Sequence, residues 1–200
     1  MNPTERPHRG WYTSRRLPHF DSPDSLQFIS FRLVDSLPQQ LLSQWHRDLA
    51  ALPAIERLTE LRQRMEACLD RGLGCCVLGH PAMAATLQQA FNHHDGKRYR
   101  LLAWCIMPNH VHVLIKPEWP LAKIVQTWKV WSARRARDHA GQFNFALPAR
   151  GLWMRGFWDR YIRDERHLLA VVEYIHQNPV KAGLCAKAED WPWSSANRSC

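Results

Sequence analysis

The chain has 200 residues, 46% of them hydrophobic, with 27 Lys and Arg against 18 Asp and Glu, a formal net charge of +9. That length can bury one core. With ten tryptophans among the basic residues, it points to nucleic acid, since flat rings stack on bases while cations track phosphates. No run of about 18 apolar residues occurs, which excludes a membrane-spanning helix. The opening Met1-Asn-Pro-Thr-Glu-Arg-Pro-His-Arg9 lacks the apolar segment of a secretory signal. Six scattered cysteines without a Cys-x-x-Cys pair suggest neither a zinc knuckle nor a disulfide framework. A cytoplasmic, nucleoid-associated location is the expectation.

Residues 1–10 are polar and proline-bearing, and are expected to form a flexible arm ahead of a single domain over 11–200. The aromatic and basic stretch Trp11 to Asp21 follows. Leu26 to Leu33 is the first predicted core strand, with Phe28, Ser30 and Arg32 on one side and Gln27, Ile29, Phe31 and Leu33 on the other. Leu37-Pro38 then opens a helical region. One stripe is Leu41, Leu42, Trp45 and Leu49; a second is Ile55, Leu58, Leu61, Met65 and Leu69, with Pro53 between them and Gly72 as the stop. This segment, about 37–72, exceeds what a simple crossover needs. It is expected to be a helical insertion or an elaborated first crossover, protruding from the core. Gly74 to Gly79 reads as a short strand or an extended link.

Pro81 suits the first turn of a helix whose inner face is Met83, Leu87, Ala90 and Phe91. Tyr99 to Met107 and His110 to Lys116 are strand-like runs joined by a turn at Pro108-Asn109. Leu121 to His139 is helical, with Ile124, Val125, Trp128 and Trp131 as its apolar stripe. Lys129, Arg134 and Arg135 lie among the basic residues on its other faces and are candidates for the DNA backbone. Leu152 to Arg163 reads as a strand or bent ribbon. The last helix is expected from Asp164 or Glu165, with Asp164 as N-cap, to Gln177, ending at Pro179.

Two constellations carry chemistry. His110 and His112 alternate with valines, so both imidazoles share one strand face, roughly 7 Å apart along it. Such a pair either supplies two ligands of a metal site or is two hydrogen-bonded histidines on a half-buried strand. Tyr174 and Asn178 lie four apart on the last helix, one turn apart on a common face. A phenol with pKa near 10 is a poor nucleophile at neutral pH unless a nearby cation favours the phenolate. Tyr161 is the competing phenol. Asn178, just before Pro179, alternatively only caps the helix end.

Together these residues resemble a known family. His110-Val-His112 preceded by Met107-Pro-Asn109, Phe157-Trp-Asp-Arg-Tyr-Ile-Arg-Asp-Glu165, Tyr174-x-x-x-Asn178-Pro-Val-Lys-Ala-Gly183 and Trp191-Pro-Trp-Ser-Ser195 are similar to motifs of the REP-associated tyrosine transposases. Those belong to the HUH single-strand nuclease and transposase superfamily. The resemblance, over roughly residues 11 to 195, implies an α+β fold. Its form would be a ferredoxin-like antiparallel sheet with helices packed on one face, plus the inserted helical segment. It implies that Tyr174 attacks a scissile phosphate to give a 5′-phosphotyrosine, and that His110, His112 and Asn178 bind Mg²⁺ or Mn²⁺. Manganese is the more comfortable partner for imidazoles. It implies single-stranded or hairpin DNA with REP-like palindromes as partner, with the protein a monomer or homodimer. Candidate DNA contacts are Trp11, Tyr12, Arg15, Arg16, Arg160, Arg163 and Lys181, beside the basic residues of the long helix; for the stretch around Trp11 a capping loop is the alternative. Two other functions fit the same residues: a non-cleaving hairpin-binding protein, and a metallohydrolase with Glu173 as general base.

Overall fold

The computed structural model describes residues 8–14, 17–143, 147 and 151–197. Arg15, Arg16 and most of the expected N-terminal arm lie outside the described residues. A hairpin of β1 (Gly10–Ser14) and β2 (Leu17–Asp21) precedes a four-stranded sheet made of β3 (Gln27–Arg32), β4 (Tyr99–Ile106), β5 (His110–Pro117) and β6 (Trp158–Tyr161). The sheet runs in the order β4-β5-β3-β6 with every neighbouring pair antiparallel. Helices α1 (Gln39–Asp48), α2 (Ala54–Asp70) and α3 (Pro81–His93) link β3 to β4. Helix α4 (Leu121–Phe143) links β5 to β6, and α5 (Glu165–Lys181) follows. This is the expected α+β class.

The helices are not confined to one face. α3 and α4 cover the side carrying Ile29, Phe31, Val111, Val113 and Ile115, with Leu87, Phe91, Ile124 and Trp128 buried against it. α5 covers the other side, where Phe28, Ala103, Cys105, Met107 and Leu114 meet Ile175, Leu168 and Val172. The physical reason lies in β5, where every position except Lys116 is buried. A strand that is buried on both sides needs a layer on each. The alternation of histidine and valine resembles a half-solvated strand only because two buried residues happen to be polar.

Other boundaries move for local reasons. Val77–Gly79 is a 3₁₀ turn, not a strand. Of Leu152–Arg163, 158–161 pairs as a strand of the sheet and Trp153 makes an isolated antiparallel bridge to Leu33, while Gly151 and Gly156 take positive φ and bend the ribbon. α5 continues through Pro179 to Lys181. Proline can occupy the final turn because the helix is stopped just beyond it by Gly183, at φ 70°, whose N–H donates to the Val180 carbonyl. Asp164 caps the start, accepting from the His167 N–H at 2.7 Å.

The insertion does not protrude. Leu37, Cys68 and Leu69 form a small core with Leu41, Leu42, Trp45 and Met65, and α2 packs against α5. Gly74 makes the return possible: a Cβ there would lie 2.0 Å from the Asp35 carbonyl oxygen, and its φ is +76°. The last turn of α2 is thereby held beside the start of β5.

Candidate active site

The Pro108-Asn109 turn does more than reverse the chain. The Asn109 amide donates to the carbonyls of Leu69 at 3.0 Å and Leu73 at 3.3 Å, both at the end of the insertion. With Nδ2 so committed, Asn109 Oδ1 accepts from His110 Nδ1, 2.7 Å away. This fixes the tautomer, because His110 carries its proton on Nδ1 and leaves Nε2 with a free lone pair. That nitrogen lies 2.9 Å from His112 Nε2. Both rings are about 1% exposed. Burial pushes the His110 pKa down to about 3. It also pushes His112 well below the usual histidine range, helped by His110 and Arg62. Both are therefore neutral, the form that ligates metals.

Tyr174 closes over this pair. Its ring meets that of His112 at 5.3 Å and that of Phe28 at 5.8 Å, and Lys181 Nζ lies 5.4 Å from its centre. Burial and the nearby Glu66 carboxylate raise the phenol above its ordinary pKa of 10, with Asn178 and Arg62 pulling the other way. Asn178 Nδ2 donates to the Tyr174 carbonyl at 3.1 Å, and Oδ1 is left buried without a hydrogen-bond partner. His112 Nδ1 and Asp70 Oδ1 are buried and unpartnered too. Orphaned lone pairs are costly in a core, and their concentration around Tyr174 fits a centre built to receive a cation. No three His, Cys, Asp or Glu side chains form a closed metal cluster among the described residues; the donor set here includes an amide.

The competing phenol belongs elsewhere. Tyr161 packs on Phe20 at 5.1 Å and Trp11 at 5.9 Å, within a cleft of about 580 Å³ that those rings share with Arg62, Glu66, Trp158 and Arg160. Trp11 is 65% exposed, and the Arg62 guanidinium lies 3.4 Å above the Trp158 ring. Tyr12 is instead half-buried, stacked on His19 at 5.0 Å, and His19 pairs with Asp159. Arg163 and Lys181 are exposed. Arg134 and Arg135 are exposed on α4, the helix that covers the valine face and not the histidine face. Lys129 is the clear departure from expectation. Its ammonium donates to the Met154 and Gly156 carbonyls, so it pins a loop and is not presented to a phosphate.

Residues 81–178 match the family described as transposase IS200 like. That segment is similar to an IS200-like transposase domain. It takes in both histidines, Tyr174 and Asn178; α1 and α2 lie ahead of it. An Escherichia coli REP-associated tyrosine transposase is 30% identical over 100 residues, 50% of this chain and 56% of that protein. A Haemophilus influenzae protein provisionally assigned to the same class is 35% identical over 106 residues, 50% of this chain and 60% of that one. The chain thus spans less than two thirds of the curated relatives it matches. A solved REP-associated tyrosine transposase bound to a REP hairpin aligns over 92% of this chain and 82% of that one, with a TM-score of 0.54. At 16% identity this likeness is one of fold.

Sequence reasoning missed Asn109, Glu66 and Asp70. Asn109 was accounted for by its turn and so drew no further attention. The two carboxylates sit one helical turn apart on an insertion whose docking no local pattern reveals.

Proposed function

We propose that the chain is a metal-dependent, single-tyrosine DNA endonuclease and strand transferase acting on single-stranded, hairpin-forming repeats. One observation carries this reading: Tyr174 lies against His112 within a single chain, over two neutral imidazoles whose Nε2 atoms converge. The hairpin partner is carried over from the relatives, whose names specify REP elements.

In this reading His110 and His112, with Asn178 Oδ1, hold a divalent cation, which when bound supplies positive charge beside the phenol and the scissile phosphate. Tyr174 Oη attacks phosphorus, its proton is lost, and the bond to the 3′ oxygen breaks. The products are a 5′-phosphotyrosine and a free 3′ hydroxyl. Phosphoester energy is conserved in the adduct, so attack by another 3′ hydroxyl releases Tyr174 and joins the strands. Lys181 stands where an ammonium can meet a phosphate oxygen. The cleft of Trp11, Phe20, Arg62, Trp158 and Arg160 offers ring faces and guanidinium groups to unpaired nucleotides.

The test is a labelled hairpin oligonucleotide incubated with the protein and Mn²⁺, then resolved on a denaturing gel. A protein–DNA adduct is expected with the native chain and none with Tyr174→Phe. An undiminished adduct in Tyr174→Phe would remove Tyr174 as nucleophile.

A further inference from the structure

We propose that Asp70, the last residue of α2, is a ligand of the cation held by His110 and His112, so that the helical insertion is a working part of the metal centre. The proposal rests on the reading that those histidines bind a metal, and it adds a donor from outside the matched IS200-like segment.

Asp70 Oδ1 lies 3.7 Å from His110 Nε2. That is too long for a hydrogen bond, and the oxygen is buried with no other partner. It is directed at the ligating nitrogen of His110, because the other ring nitrogen is taken by Asn109. Two donors each about 2.0 to 2.2 Å from one ion, at angles between roughly 90° and 120°, are about 2.8 to 3.8 Å apart. The separations here, 2.9 Å between the imidazole nitrogens and 3.7 Å from carboxylate to imidazole, lie within that span, although the three side chains do not close into a cluster without the ion.

The placement is built, not incidental. Asn109 hydrogen-bonds the carbonyls of Leu69 and Leu73 on either side of Asp70 while orienting His110 with its oxygen. One amide thus sets the relative position of the two donors. Arg62, paired with Glu66 at 2.8 Å and stacked on Trp158, fixes the same helix farther back. Chemically, a carboxylate turns a nitrogen-rich site into a mixed one that hard oxygen-seeking cations accept, and its negative charge offsets part of the ion's.

The experiment titrates the full chain with Mn²⁺ alone, without DNA, following free Mn²⁺ by electron paramagnetic resonance. Native protein is compared with Asp70→Asn, Asp70→Cys and His112→Leu, each checked for folding by circular dichroism. Asp70→Asn is expected to weaken Mn²⁺ binding by at least ~10-fold. Asp70→Cys is expected to add a thiolate–Cd²⁺ charge-transfer absorption, one thiolate per chain, above that of the native cysteines. An Asp70→Asn titration that superimposes on the native one, while His112→Leu abolishes binding, overturns the ligand role of Asp70 and leaves the histidine site standing. Weakened Mn²⁺ binding without the added Cd²⁺ absorption in Asp70→Cys also overturns it, reducing Asp70 to a positioning residue. If His112→Leu binds Mn²⁺ as the native chain does, the metal reading beneath both proposals fails.

Discussion

The two faces of the sheet are built on opposite principles. On the valine face, α3 and α4 bury an apolar layer in which Gln27 alone, at the strand's start, leaves a buried side-chain amide unpaired among the described residues. Trp128 Nε1 donates to Tyr99 Oη at 2.8 Å, and Tyr99 Oη donates to the Phe91 carbonyl at 2.6 Å. On the histidine face, α5 and the end of α2 enclose His112 Nδ1, Asn178 Oδ1 and Asp70 Oδ1, none with a partner. A folded chain gains from the first arrangement and loses by the second. Stability is therefore concentrated on one side of the sheet and chemistry on the other, with β5 serving both through alternate residues.

The largest expected stability effect lies on the valine face. Trp128 is fully buried and meets Phe91 at 5.0 Å and Tyr99 at 5.2 Å. Trp128→Ala should cost about 3–5 kcal/mol in denaturant unfolding. Leu168→Ala, in the half-buried layer under α5, should cost clearly less. Equal losses from the two would break the contrast between the faces.

The histidine face should respond far less. Replacing His112 by Leu removes a buried ring whose Nδ1 lacks a partner and puts an apolar side chain of similar bulk among Phe28, Leu114 and Ile175. The exchange removes one orphaned acceptor and creates another at His110 Nε2, so the metal-free variant should match the native chain's stability to within about 1 kcal/mol, while losing adduct formation with hairpin DNA. A destabilised, still active His112→Leu would mean that the pair is structural after all.

How much of this was legible in the sequence follows from what each period encodes. A repeat of two put His110 and His112 on one side of a strand, and a repeat of about four put Tyr174 over Asn178; both are local, and both sets lie where the spacing said. The strands and the apolar stripes of α3, α4 and α5 were readable in the same way. The second helical layer was not, because polar residues on alternate strand positions look the same whether water or another helix faces them. Nor was the docking of α2: Asp70 and His110 are forty residues apart and are joined through Asn109, a link that exists only in three dimensions. Lys129 misled for a related reason, since a cation among other cations on a helix gives no hint that two loop carbonyls are waiting for it.

That lysine supplies the most pH-specific effect. Burial, with Arg32 adding to it, lowers its pKa from 10.5 to about 7. An unfolded chain keeps the proton up to its ordinary value, whereas the folded one releases it earlier. Between about pH 7 and 10.5 the unfolded state therefore binds more protons, and stability should rise with pH across that window. Below pH 7 both states are charged and the slope vanishes. Lys129→Gln keeps an N–H donor for the Met154 and Gly156 carbonyls but has nothing to titrate. Denaturant melts at pH 7, 8 and 9 should show a shallower pH slope in Lys129→Gln than in the native chain, with adduct formation at Tyr174 unaffected. Identical slopes would mean that the ammonium stays charged where it is, solvated better than its place between α4 and the loop implies. The valine face would then be wet at that edge, and the separation between a dry stabilising side and a polar chemical side would narrow accordingly.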